Sequence, residues 1–196
     1  MMYSIPTSIE VGGKSFRIRC DGDFRMLLDC FKVLDDIELD KTERIIATLL
    51  IFYADFNSIN DIMSCSDILR ELVEKMFWFF NCGSEDSPGT KTNYKLIDWE
   101  GDAQLVSSAV NKVAGTEIRA LEYLHWWTFM GYYSAIGEST LSTIVGIRHK
   151  IVEGKPLEKY ERKFRQDNPQ YFNWDHKTIE EHEAEDIVLK MWNSGG

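Results

Sequence analysis

The feature that most constrains the fold is a helical spacing of apolar residues that returns three times in the first half of the chain. Apolar side chains recur every three or four positions within about 24–34, 41–56 and 67–80, whereas a half-buried strand would alternate at every second position. Asp23 stands where an N-cap acceptor is needed, and Gly83 stands where a left-handed C-terminal cap is common. The spacing therefore predicts three amphipathic helices.

The residues before Asp23 show the other period. Apolar and polar side chains alternate over 9–11 and again over 16–18, and Gly12-Gly13 between them tolerates the positive φ of a tight turn. This pattern predicts a small β-hairpin. Because an isolated hairpin is marginal in water, we expect it to lie against the helices.

Four further helices are predicted after residue 95 from the same apolar spacing and from cap residues. Asp98 and Ser139 are the expected N-caps of two of them, and Gly115, Gly137 and Gly154 are the expected stops. In chain order the helices are expected at 98–113, 120–136, 139–154 and from Pro156 to about Asn168.

The polar run at about 83–95 lacks periodicity and contains a Pro-Gly pair, which predicts a mobile loop. The fold class is therefore expected to be mainly α, a multi-helix bundle with a small N-terminal β-hairpin. We expect one helical domain over 1–175. Thr178 and Glu181 form a capping box that predicts a separate C-terminal helix within 176–196, acidic at its start and amphipathic.

The charge of the chain limits its classes of partner. It carries 22 Lys and Arg residues against 32 Asp and Glu, a formal net charge of −10. Nucleic-acid binding by counterion release needs a basic face, so this balance argues against it. The basic run 155–165 also contains glutamates and is interpreted as a solvated helix face. No apolar stretch approaches 18 residues, so no membrane span is expected.

Residues that could carry out chemistry form no recognisable pattern. No two histidines have the i, i+4 spacing of a helical zinc site, and no phosphate loop, dinucleotide fingerprint or nucleophile elbow occurs. The cysteines form no CxxC pair and stand in or beside apolar stretches, so we expect reduced core residues. They are Cys20, Cys30, Cys65 and Cys82. We therefore expect no catalytic residues, no cofactor and no metal.

Two segments are candidates for protein contact. Trp126 and Tyr133 belong to an aromatic run at 123–133, whose side chains cannot share one helix face because successive residues point in different directions. The run is either a central helix packed on several sides, or it has an aromatic face that is covered only in an assembly. The apolar end of the C-terminal helix either docks on the body of the protein or binds a partner. Its candidate residues are Ile187, Val188, Met191 and Trp192.

Five short motifs, taken in order, resemble those of a known family. They are Ile5-Pro6-Thr7-Ser8-Ile9-Glu10-Val11-Gly12-Gly13-Lys14, Asp23-Phe24-Arg25, Ile97-Asp98-Trp99-Glu100-Gly101-Asp102, His125-Trp126-Trp127-Thr128-Phe129 and Ile144-Val145-Gly146-Ile147-Arg148. In this order and spacing the sequence resembles a bacteriophage family named for gene product fifteen. The resemblance covers about 5–172.

The resemblance implies a gene of the tail-morphogenesis cluster of long-tailed phages and prophages. Such genes lie between those of the major tail protein and the tape measure protein, where tail assembly chaperones are encoded. It implies a protein partner, the tape measure or another tail protein, with self-association as a further option. The expected location is the cytoplasm of the bacterial host. The alternative is a structural or connector protein retained in the virion tail. The family has no established catalytic residues.

Overall fold

The computed structural model describes residues 4–84 and 95–174, which form two compact units. The first unit contains residues 4–84 and Tyr123–Thr128, and the second contains residues 95–122 and 129–174. The described residues form helices and one two-stranded antiparallel sheet at the N-terminus. The prediction of a mainly α fold with a small N-terminal β-hairpin is confirmed.

The hairpin of the first unit consists of β1 (Ser8–Val11) and β2 (Lys14–Arg17). Gly12 and Gly13 form the turn with φ of 54° and 74°, values that favour glycine because a Cβ atom would clash with its own backbone at a positive φ. A Cβ atom on Gly12 would lie 2.8 Å from the side chain of Ile68, so the hairpin packs closely on the helical part of the unit. The predicted hairpin and its turn are confirmed.

Four helices complete the first unit, and two of the predicted cap positions, Asp23 and Gly83, are found at helix ends. They are α1 (Phe24–Leu34), α2 (Lys41–Phe52), α3 (Ile59–Met63) and α4 (Leu69–Phe80). The carboxylate of Asp23 accepts a hydrogen bond from the backbone N–H of Arg25, so the predicted N-cap is confirmed. Gly83 follows α4 with a φ of 77°. The short helix α3 was not predicted.

Helix α2 ends at Phe52, four residues earlier than predicted, because the residues that follow form contacts with Ile18 and Arg19. The Arg19 guanidinium donates to four carbonyl oxygens at this end of α2 at 2.9–3.1 Å. Tyr53 takes an extended conformation and forms an isolated β-bridge with Ile18. Arg19 therefore satisfies carbonyl groups that a helix end leaves without intrahelical partners.

The core of the first unit is aromatic. Phe52 is fully buried and lies with its ring centroid 4.8 Å from that of Tyr53 and 5.3 Å from that of Phe79. The Tyr53 hydroxyl donates to the carbonyl of Leu72 at 2.7 Å. Tilted and edge-to-face aromatic pairs of this kind add to the stability that burial alone provides.

The second half of the chain contains four helices in the described residues. They are α5 (Ala103–Ala114), α6 (Trp126–Ser134), α7 (Thr140–Val152) and α8 (Lys159–Asp167). Ser139 caps α7 through a capping box with Ser142, and Gly115 ends α5 with a φ of 70°, as predicted. Helix α6 contributes residues to both units.

Three of the four predicted helix starts in this half are wrong, namely those of α5, α6 and α8. Helix α5 begins at Ala103 because the Asp98 carboxylate accepts from the N–H groups of Glu100 and Gly101 and forms a separate turn. Helix α6 begins at Trp126, not near residue 120, because a 3-10 helix at Ile118–Ala120 is followed by extended backbone. It also ends at Ser134, before the predicted stop at Gly137.

Helix α8 begins at Lys159, three residues after Pro156, which therefore is not its first residue. The cap is Glu158, whose backbone N–H donates to the Glu161 carboxylate at 2.7 Å. Glu161 also accepts from Lys150 of α7 at 2.7 Å, which ties α8 to α7. The end of α8 just before Asn168 agrees with the prediction.

Candidate contact surface

A buried junction in the first unit is built around His125, the residue that precedes α6. Its Nδ1 accepts a hydrogen bond from the backbone N–H of Trp127 at 3.0 Å, and its Nε2 lies 3.0 Å from the carbonyl oxygen of Pro6. Nδ1 must therefore be unprotonated, and Nε2 carries the hydrogen and donates it to Pro6. A Cβ atom on Gly22 would lie 3.0 Å from this Nε2, so only glycine fits beside the ring.

Asp23 joins the same junction from the start of α1. Its Oδ2 accepts from the N–H of Leu124 at 2.9 Å, while the N–H of Phe24 donates to the carbonyl of Leu124 at 2.9 Å. Asp23 and His125 thus form an antiparallel β-bridge between segments about a hundred residues apart. One carboxylate caps α1 and also holds the segment that leads into α6.

The junction leads to a pH prediction. Burial lowers the pKa of His125, although Pro6 and Asp23 act in the opposite direction. Because the unfolded chain then binds a proton at a higher pH than the folded chain, stability should fall as the pH drops below the unfolded histidine value. We expect a lower urea midpoint at about pH 5.5 than at about pH 8. Protonation would place an N–H on Nδ1 opposite that of Trp127.

The control for this prediction is His125→Asn, because an asparagine oxygen can accept from the Trp127 N–H without titrating. The urea midpoint of this variant should change less between the two pH values than that of the unchanged protein. Equal shifts in both proteins would assign the pH dependence to other groups.

The two tryptophans that follow His125 are anchored to the end of α4. The indole N–H of Trp126 donates to the carbonyl of Phe80 and that of Trp127 to the carbonyl of Phe79, both at 2.9 Å. Trp126 is only 1% exposed, and its ring centroid lies 5.5 Å from that of Phe31. Trp126 therefore occupies the core of the first unit, and the structure favours the central-helix interpretation for this residue.

A second buried junction, in the second unit, is built around Arg148 of α7. Its guanidinium forms a bidentate ion pair with the Asp102 carboxylate, and both side chains are 2% exposed. The same guanidinium donates to the carbonyls of Leu96 and Tyr171 at 2.9 Å and lies 4.7 Å from the ring centre of Trp174. Arg148 thus holds together the start, the middle and the end of the described part of this unit.

The second unit also carries a surface groove of about 440 Å³ with mostly apolar walls. Tyr133 at the end of α6 is half-buried in its wall and packs against Trp99, with ring centroids 5.8 Å apart. Burial, together with the nearby Asp102, raises the pKa of Tyr133. The groove is lined by Leu96, Tyr133, Ser134, Ile136, Leu141, Ser142, Val145, Gly146 and His149.

Gly146 gives the groove part of its open space. It lies within α7, and a Cβ atom placed on it would meet nothing within 4 Å. Leu141, Val145 and His149 lie at i, i+4 and i+8 on the same helix, so they form a ridge along one wall. One wall of the groove is therefore a ridge of α7 side chains with an open position at Gly146.

The family model of the Bacteriophage Gp15 protein matches residues 1–172 of the sequence. The chain belongs to this family. The Gp15 family is one of phage structural and morphogenesis proteins and is not known for enzyme activity. No curated protein and no solved structure matches the chain significantly.

In this Gp15-family protein, the motifs that carry the family resemblance meet at the two buried junctions. Pro6, Asp23 and His125 come from three motifs and form the junction of the first unit. Asp102 and Arg148 come from the other two and form that of the second unit. The motifs therefore stabilise the fold through buried polar contacts, which is a structural role.

The predicted contact residues fall into three classes. Trp126 is buried in the first unit, whereas Tyr133 lines the groove of the second. Ile187, Val188, Met191 and Trp192 lie outside the described residues, as does most of the predicted loop near 83–95. The remaining residues of the groove were not predicted. A glycine inside an amphipathic helix, at Gly146, is the one sequence signal that could have indicated an open wall.

The described residues offer little for nucleophilic or metal chemistry. Burial raises the pKa of Cys30 and raises that of Cys82 to about 11, so neither thiol ionises readily. Cys20 is exposed, and Cys65 and Cys82 are partly exposed, so the prediction that all four cysteines are core residues is wrong. Within residues 4–84 and 95–174, no cluster of three His, Cys, Asp or Glu could hold a metal ion. None of the helices in those ranges could cross a membrane.

Proposed function

We propose that this protein is a tail assembly chaperone that binds the tape measure protein in its second-unit groove. The observation that carries the proposal is an apolar surface groove of about 440 Å³ in a member of a phage morphogenesis family. The tape measure is a long helical protein, and an amphipathic helix can place apolar side chains against Leu96, Ile136 and Val145.

The polar rim of the groove supports a reversible contact. Ser134, Ser142 and His149 stand among the apolar lining residues, and His149 is already paired with Glu153 at 3.1 Å. Apolar contact supplies affinity, while exposed polar groups at a rim add little to it. Such a surface suits a client that later has to be handed over to the tail tube. The net charge of −10 favours solubility of the free chaperone.

The first test is co-expression with the tape measure protein of the same phage or prophage. We expect the two proteins to co-elute, and we expect Gly146→Tyr to weaken the complex by about tenfold or more, since its side chain would occupy the groove. Gly146→Ala is the matched control, because alanine also removes the helix glycine but leaves most of the volume open. Isothermal titration or pull-down at graded concentrations measures the difference.

The proposal fails if the purified pair never co-elutes, or if phages that lack this gene still build normal tails. Mass spectrometry of purified particles separates the chaperone from the connector alternative. A chaperone is absent from finished particles, whereas a connector is present in stoichiometric amounts.

A further inference from the structure

We propose that the exposed face of α8 docks on the α1–α2 loop, residues 35–40, of a second copy of this chain. The proposed function concerns the groove, and neither α8 nor this loop lines it. Because the contact joins two unlike surfaces, it is a head-to-tail contact that leaves one surface of each kind unoccupied at the ends of an assembly.

The cations of α8 lie on its exposed side. Lys159, Arg162 and Lys163 stand at i, i+3 and i+4, so they share one face of the helix, and all three are exposed. Tyr160, three residues before Lys163, is 66% exposed. The opposite side of the helix holds Glu161, which is buried and pairs with a lysine of α7. The outer face of α8 is therefore cationic with an aromatic edge.

Part of this positive charge has no counterpart within the chain as the structure describes it. Lys163 pairs with Asp167 at 3.0 Å, but no carboxylate in residues 4–84 and 95–174 pairs with Lys159 or Arg162. The carboxylate of Glu158 accepts from the backbone at the start of the helix. Two exposed cations are therefore available to the carboxylates of another molecule.

The α1–α2 loop has the opposite charge around a second exposed apolar side chain. It contains four Asp or Glu and no Lys or Arg in six residues. Ile37 is 80% exposed, and Ile37 and Tyr160 are the two most exposed large apolar side chains among the described residues. The backbone N–H of Glu38 donates to Asp36 at 2.9 Å, and Asp40 caps α2. The acids of the loop therefore fix the conformation that leaves Ile37 in solvent.

The two surfaces complement each other in charge and in apolar content. Each offers one exposed apolar side chain, Ile37 or Tyr160, beside charges of a single sign, and a protein interface combines an apolar centre with a polar rim. The net charge of −10 makes two copies repel each other at long range. At physiological ionic strength, however, charges more than about 8 Å apart are largely screened. Opposite charges that face each other in the contact are closer than this and fix its register.

Sedimentation velocity of the full chain alone, over a wide range of concentrations, tests the inference. We expect the mean mass to rise above that of the monomer as the concentration increases. Lys159→Glu on the helix and Glu38→Lys on the loop should each weaken association by about tenfold, because they place like charges opposite each other. Ile37→Ser should weaken it without altering the charge. Lys112→Glu is the matched control, because Lys112 is exposed on α5 and lies outside the α8 face.

A mixture of the two charge-reversed variants tests the head-to-tail arrangement. Lys159→Glu keeps the loop intact and Glu38→Lys keeps the α8 face intact, so one unaltered contact can form between a chain of each kind. At a concentration where each variant alone is monomeric, we expect the equimolar mixture to form a dimer and to grow no further. A chain that carries both changes should associate again, because the facing charges are then opposite once more.

Three results would overturn the inference. The unchanged protein could remain a monomer at every concentration. Lys112→Glu could weaken association as much as Lys159→Glu, which would assign the effect to net charge. A monomeric protein whose Lys159→Glu variant loses binding to the tape measure or to RNA would assign the α8 face to that partner instead. Because no client is present during sedimentation, monomeric behaviour leaves client binding in the groove open, and failure to co-elute with the tape measure leaves the self-association result intact.

Discussion

Replacing Arg148 with methionine should lower the free energy of unfolding of the second unit by about 3–5 kcal/mol. The substitution keeps an apolar stem of similar length but leaves the Asp102 carboxylate buried without its cation. It also removes donors from the carbonyls of Leu96 and Tyr171. Removing one partner of a buried ion pair is costly because the remaining charge stays away from water. Urea unfolding followed by circular dichroism measures the loss.

Arg162→Met is the matched control, since Arg162 lies exposed on α8 of the same unit. It should leave the urea midpoint nearly unchanged. Arg148→Lys should fall between the two, because an ammonium group keeps the charge but cannot reproduce the fork that holds both carboxylate oxygens. If Arg148→Met unfolds at the midpoint of the unchanged protein, Arg148 does not hold the unit together.

Local signals predicted much of the fold because their physical cause lies within a few residues. The Gly12-Gly13 turn, the Asp23 cap and the Ser139 capping box each depend on hydrogen bonds or φ values of neighbouring residues. The helical spacing of apolar residues after Asp23 and Ser139 then predicted the helices that follow.

Some of the predictions that failed depend on partners far away in the sequence, whereas the starts of α5 and α8 are set by local hydrogen bonds of Asp98 and Glu158. Helix α2 ends at Phe52 because Arg19, 31–37 positions away, donates to carbonyl oxygens at that end. The backbone before α6 has helical spacing and yet is extended, because Leu124 and His125 pair with Asp23. A window of ten or fifteen residues cannot contain such information.

The burial of the candidate contact residues also depends on contacts with residues far away in the sequence. The aromatic run at 123–133 showed where large side chains concentrate, but its periodicity could not say which of them are covered. Trp126 is covered because the carbonyl of Phe80 and the ring of Phe31 lie against it. Tyr133, seven residues later, lines the groove with residues from 96 and from α7. Only tertiary contacts distinguish the buried Trp126 from Tyr133, which lines the groove.

Trp126→Ala tests whether Trp126 belongs to the core and should destabilise the first unit by about 3–5 kcal/mol. The change removes a fully buried indole and also leaves the carbonyl of Phe80 without its donor. Ile37→Ala is the control in the same unit, because Ile37 is 80% exposed and its truncation leaves the core intact. Differential scanning calorimetry should show a lower unfolding temperature for Trp126→Ala alone.

The stability result also decides how Trp126 acts on a client. If Trp126 is core, Trp126→Ala should lose tape measure binding only to the extent that the protein unfolds, and cooling should restore it. Gly146→Tyr should lose binding while its unfolding temperature stays near that of the unchanged protein. A Trp126→Ala protein that is as stable as the original but does not bind would instead make Trp126 a direct contact, because lost folding could then not explain the lost binding.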